Sequence, residues 1–110
     1  MSCIFCKIAS KEIKSGSVYE TDKVIAFDDI APQAPVHVVV IPKEHVSGIA
    51  AGSNDVLAEI FKAICQISKI KGVQDNGYRV VINSGRDAGQ AVEHLHFHLL
   101  GGRLLKWPPG

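Results

Sequence analysis

EHLHFHLLGG, residues 93–102, carries three of the chain's five histidines, at positions 94, 96 and 98. On a β-strand successive side chains alternate between faces, so residues two apart share one. Read as a strand, the stretch turns His94, His96 and His98 to one side. Leu95, Phe97 and Leu99 turn to the other, into a core. Two glycines follow directly. A strand of this kind needs partners, and the surrounding sequence supplies them.

Just upstream, YRVVIN (78–83) reads as a strand and SGRDAGQ (84–90) as a glycine-containing loop. Further back, VHVVVIP (36–42) is β-branched and nearly all apolar, a strand buried on both faces and ended by Pro42. VYETDKVIAFDDI (18–30) reads as two short strands around a turn at Thr21-Asp22, and APQAP (31–35) as an extended loop. The one clear helix is SNDVLAEIFKAICQISKIKG (53–72), where Leu57, Ile60, Phe61, Ile64 and Ile67 follow the spacing of a single apolar face. Ser53 or Asn54 caps its start and Gly72 ends it. CIFCKIASKEI (3–13) reads as a short helix or turn, and WPPG (107–110) as a tail. Strands, a helix, then strands again indicate an α+β fold with a mainly antiparallel sheet.

The bulk properties agree with one compact domain. The chain has 110 residues, is 46% hydrophobic and 21% charged, and carries a net charge of +1 without an acidic or basic block. No basic stripe argues for a nucleic-acid partner. No apolar run approaches the ~18 residues of a membrane span. MSCIFCKIASKEIK lacks the apolar region of a signal peptide, so a cytoplasmic location is expected. Three cysteines, an odd number, do not suggest a disulfide framework.

Three histidines in alternation admit three readings. A plain solvent-facing strand would draw on Lys, Thr, Glu and Ser. A metal strand is limited by reach: a rise of ~3.3 Å per residue places His94 and His98 about 13 Å apart, too far for both to hold one ion. Nucleophilic catalysis uses all three, with His96 attacking and its neighbours fixing the tautomer and binding an anion. Imidazole, with a pKa of ~6.5, keeps a free ring nitrogen at neutral pH. Loop 84–90 can add backbone N–H groups for a phosphate. Separately, Cys3-x-x-Cys6 has the spacing for two thiolates on one zinc, with histidines as the natural completion of a tetrahedron. A redox role for the pair is the poorer alternative, since no thioredoxin-like strand precedes it. Cys65, within the helix, reads as a small core residue.

HLHFHLL (94–100) resembles the His-φ-His-φ-His-φφ signature of the histidine triad (HIT) superfamily, φ being hydrophobic. AFDDIAPQAPVHVVVIPKEH (26–45), GYRVVINSGRDAGQ (77–90) and LLGGRLLKWPPG (99–110) resemble its Hint branch. The resemblance implies a single HIT domain over residues 1–110, with a five-stranded antiparallel sheet, one main helix and a short N-terminal helix. It also implies a homodimer whose sheets join into ten strands. The implied activity is hydrolysis at the α-phosphate of a purine nucleotide, of the adenosine 5'-monophosphoramidase type, through a nucleotidyl-histidine and without a catalytic metal.

Roles follow residue by residue from the same resemblance. His96 falls on the nucleophile, His98 on a phosphate contact, His37 on a histidine relay, and His94 beside them. Asp29 falls on the acceptor of ribose hydroxyls. Phe5, Ile8, Ile13, Phe27 and Ile30 would line the purine pocket, and Asn83, Gly89, Gln90 and Val92 would lie along the phosphate. Trp107 falls in a tail directed at the partner's site. Cys3, Cys6, His45 and His94 fall on a structural zinc site of some bacterial relatives. One departure is Ala91, where many Hint proteins have Ser or Thr. Two other readings stay open: cleavage of dinucleoside polyphosphates, and a non-catalytic nucleotide-binding regulator.

Overall fold

The computed structural model describes residues 3–110. In chain order the elements are α1 (Ile4–Ala9), β1 (Ser17–Glu20), β2 (Val24–Asp28), β3 (Val36–Pro42), α2 (Asn54–Ile70), β4 (Tyr78–Val81) and β5 (Phe97–Gly101). The strands form one antiparallel sheet in the order β1-β2-β3-β5-β4. Single 3₁₀ turns sit at Ile49–Ala51 and Arg86–Ala88. None of the described helices is long and apolar enough to cross a membrane.

Strand alternation gives the sheet two unlike faces. Val24, Ala26, Val38, Val40, Phe97 and Leu99 face α2 and pack on its Ile60, Ala63, Ile64 and Ile67. Ile25, Phe27, Val39 and Ile41 face the other way and pack on Ile8 of α1, with Phe5 and Ala9 beside them. β3 is buried on both faces, as its composition predicts. The α2 start is fixed by Ser53, whose hydroxyl oxygen accepts from the Val56 N–H at 3.2 Å. Its end comes just before Gly72, which takes the left-handed φ of +70°.

Four expectations need correction. Cys65, read as a small core residue, is exposed on α2. The strand read over 93–102 begins only at Phe97. Ahead of it, the His94 and His96 rings bond to backbone carbonyls and the Leu95 N–H donates to the Val46 carbonyl, so no ladder forms there. Accordingly His94 and His96 are buried rather than presented on a solvent face. The strand read over 78–83 stops at Val81, which releases Asn83 from the sheet. On α2, Phe61 is half exposed, with only a ring edge against Phe97 at 5.7 Å. Ala63 and Ser68 take the buried places instead.

Candidate active site and metal centre

A cleft of about 570 Å³ opens on the α1 side of the sheet. Its floor is strand: Phe27 of β2, Val39 of β3 and His98 of β5, with His96 just ahead of β5. One wall is α1, through Phe5 and Ile8, continued by Ile13. The turn after β2 adds Asp29 and Ile30. Asn83, Gly89 and Val92 close the opposite side. Eleven of the thirteen residues assigned to the nucleotide thus meet around one cavity.

The ring hydrogen bonds fix what each histidine can do. His96 Nδ1 lies 2.7 Å from the His94 carbonyl oxygen, which only accepts. Nδ1 therefore carries the proton, and in the neutral ring Nε2 keeps the lone pair. His37 Nδ1 accepts from the Gln33 backbone N–H at 3.0 Å, so its proton sits on Nε2. That N–H donates to His98 Nδ1 at 2.8 Å, with Asp29 Oδ2 a more distant neighbour at 3.4 Å. His98 in turn must carry its proton on Nε2 and is a donor on the cleft side. The chain from Gln33 to His37 to His98 is a directional relay ending in a hydrogen-bond donor.

Burial pushes the His98 pKa below the usual histidine value. His96 and His37 reinforce the shift, and Asp29 opposes it. The ring therefore stays neutral near pH 7. The Asp29 carboxylate is anchored through Oδ1, which accepts from the Ala31 N–H at 2.8 Å. Asp29, His37 and His98 lie close enough to hold a cation. The tautomers argue otherwise: with Gln33 on Nδ1, His37 has no lone pair left at Nε2 to offer a metal.

The second cluster reads oppositely. His94 Nε2 donates to the Pro42 carbonyl at 2.8 Å, which leaves the Nδ1 lone pair free. Nδ1 lies 3.3 Å from Cys3 Sγ and 3.5 Å from Cys6 Sγ, and His45 Nδ1 lies 3.2 Å from Cys6 Sγ. All four donor atoms fall within 4.8 Å of one another. Zinc bonds of ~2.3 Å to sulfur and ~2.0–2.1 Å to nitrogen give tetrahedral S···N edges of about 3.5 Å, close to these spacings. Pro42 supplies the outer hydrogen bond that orients a metal-binding imidazole. Four protein ligands leave no open position, so the cluster fits a structural rather than a catalytic ion. Burial, with Cys3 next in order, pushes the Cys6 thiol pKa up, while burial pushes the His94 pKa down.

Two assigned residues lie outside the cleft lining. The Gln90 side chain is fully engaged elsewhere. Its oxygen accepts from the Gly85 N–H at 2.9 Å, and its amide donates to Ser47 O and Val92 O, both at 3.1 Å. It braces the 84–90 loop and has no polar atom left for a phosphate. Trp107 is 80% exposed and lies by Arg79, its ring 5.8 Å from the guanidinium carbon. Among the lining residues, Ile4, the short run Lys14-Ser15-Gly16 and Asp28 were not singled out by the sequence. Ala91 lies in the lining, so the missing hydroxyl is missing at the cleft itself.

The HIT domain family matches residues 10–105. The chain is 46% identical over 112 residues to the 14 kDa zinc-binding protein of Brassica juncea, covering 97% of this chain and 98% of that one. It is 45% identical over 112 residues to adenylylsulfatase HINT1 of Arabidopsis thaliana, covering 97% of this chain and 76% of that protein. Its fold superimposes on the crystal structure of a HIT family hydrolase from Legionella pneumophila Philadelphia 1 with a TM-score of 0.95. That pair is 44% identical, covering 99% of this chain and 100% of the other.

Proposed function

The chain belongs to the HIT domain family, and on that premise we propose that it is a nucleoside phosphoramidase, hydrolysing a purine nucleoside monophosphate joined to an amine. The carrying observation is the pair of tautomers facing the cleft. His96 holds a lone pair on Nε2, and His98 holds a proton on its own Nε2. A nucleophile and an oxyanion donor therefore stand side by side, with ring centroids 5.1 Å apart.

In this reading the apolar wall of Phe5, Ile8, Ile13, Phe27 and Ile30 takes the base, and Asp29 accepts from the ribose hydroxyls. Asn83 and the backbone of Gly89 and Val92 flank the phosphate. His96 Nε2 forms a bond to phosphorus as the bond from phosphorus to the amine nitrogen breaks, and the amine leaves with a proton taken from solvent, which the later attack of water gives back. His98 donates to a phosphoryl oxygen and steadies the charge that builds there. The His94 carbonyl steadies the positive charge arising on the His96 ring through the Nδ1–H. Water then attacks the nucleotidyl-histidine, releasing the monophosphate and restoring the lone pair. Zinc, held by Cys3, Cys6, His45 and His94, would supply cross-linking alone.

The exposed β4 edge with Val80 supports a homodimer of joined sheets, and the exposed Trp107 supports a tail that serves the partner's cleft. The relative named adenylylsulfatase favours a second leaving group, sulfate, on the same α-phosphate. Cleavage of dinucleoside polyphosphates is the remaining alternative at this site.

The test is steady-state release of AMP from an adenosine phosphoramidate, adenylyl sulfate and diadenosine tetraphosphate, with His96→Ala as control. The reading expects the phosphoramidate to turn over fastest and His96→Ala to lose about 10⁴-fold or more in kcat, with AMP binding kept within a few-fold. Equal turnover by variant and parent would remove His96 as the nucleophile. AMP binding without turnover of any substrate would leave a nucleotide-binding protein and make Ala91→Ser the first change to try.

A further inference from the structure

The cysteine-histidine cluster and the cleft share one element, α1. The helix has six residues, with Ile8 its one fully buried side chain. Isolated helices below ~12–15 residues are marginal in water, so α1 depends on what it is tied to. Cys3, at its N-cap, and Cys6, in its body, reach His94 and His45 on one side. Between them Phe5 points to the cleft. Its ring lies edge-on to His94 at 5.9 Å and to His96 at 5.1 Å. His94 closes the circuit: its ring belongs to the cluster, and its carbonyl holds the Nδ1–H of His96 at 2.7 Å.

We propose that cation binding at Cys3, Cys6, His45 and His94 is positively linked to nucleotide binding in the cleft, with α1 as the linking element. Cys3 and Cys6 are then positioning residues for the nucleotide as well as metal ligands. Without the cation, weak thiol hydrogen bonds and a small apolar contact hold the wall, and a bound nucleotide must order it. With the cation the wall is already ordered, so the nucleotide meets a preformed surface. Linkage makes the effect reciprocal: the nucleotide must tighten the cation by the same factor. Coupling of the ordinary size predicts a factor of about 10. The inference rests on the nucleotide reading above and goes beyond it.

The experiment uses AMP as the nucleotide and calorimetry on zinc-loaded and chelator-stripped full-length protein. The AMP Kd is expected to rise about tenfold on stripping. In parallel, Co²⁺ is titrated into stripped protein with and without saturating AMP, read by thiolate-to-cobalt absorption, and its Kd should fall by the same factor. Phe5→Ala separates α1 from general stabilisation. It keeps all four ligands but removes the aromatic ring from the wall, so Co²⁺ should still bind while saturating AMP alters its affinity less than in the parent. Equal AMP affinity in loaded and stripped protein would overturn the linkage and leave the nucleotide site standing. Coupling that survives intact in Phe5→Ala would overturn the Phe5 ring of α1 as its route. Loaded protein that fails to bind AMP at all would overturn both readings.

Discussion

The two faces of the sheet are made from alternate residues of the same strands, yet they behave as different materials. On the α2 face Val24, Val38, Val40, Phe97 and Leu99 are all 0% exposed. A 17-residue helix lies over them. On the other face a six-residue helix covers only part of the strands, and a cleft of about 570 Å³ remains. Polar groups appear on that second face, and several are paired: Gln33 to His37, His37 to His98, Asp29 to Ala31. The length of the covering helix, rather than the strands beneath it, decides which face keeps room for a ligand.

Changes on each face should therefore have different readouts. Phe97→Ala, at the centre of the sealed face, should lower stability by about 3–5 kcal/mol through lost burial and a cavity that α2 cannot close. Denaturant unfolding measures this, and a loss below 1 kcal/mol would mean that the α2 face is looser than its burial indicates. Asp29→Asn, on the open face, keeps the acceptor for Ala31 but removes the charge. It should weaken AMP about tenfold, in line with ~1.5 kcal/mol for a hydrogen bond to a charged group, while the denaturant midpoint stays almost unchanged. Calorimetry and unfolding on the same sample would separate the two effects.

A gentler change comes from pH. Burial holds the His98 pKa below its usual value, so in the range just below ~6.5 the unfolded chain binds the proton and the folded chain resists it. Stability must then rise with pH through that window and fall on acidification. Unfolding midpoints at several pH values, compared with those of His98→Asn, would check this. An unchanged slope in the variant would assign the titration elsewhere.

Much of this was legible in the residues. β3 was read with its observed bounds because an unbroken β-branched run leaves little choice between strand and helix. α2 showed its face and its Ser53 cap. The histidine spacing marked the site, yet its physical basis differs from simple strand alternation. Only His98 sits on a strand. His94 and His96 are held by carbonyls of Pro42 and of His94 itself. Such side-chain bonds to backbone leave no periodic trace. Gln90 shows the same blindness: composition marks it as a polar residue of the 84–90 loop, but its three partners come from three separate backbone positions. Phe61 fits the helical period and still lies half exposed, since the period does not reveal how far a covering helix is rolled.

The pairing of His98 with Val39, and of Leu99 with Val38, has an evolutionary corollary. Side-chain direction has a period of two along these strands. Removal of one residue within Phe97–Gly101 would carry the His98 imidazole into the oily layer under α2 and turn a leucine outward. Removal of two would restore the parity. Lineages descending from this fold can thus vary their loops residue by residue, whereas the length of this one strand can drift only in even steps.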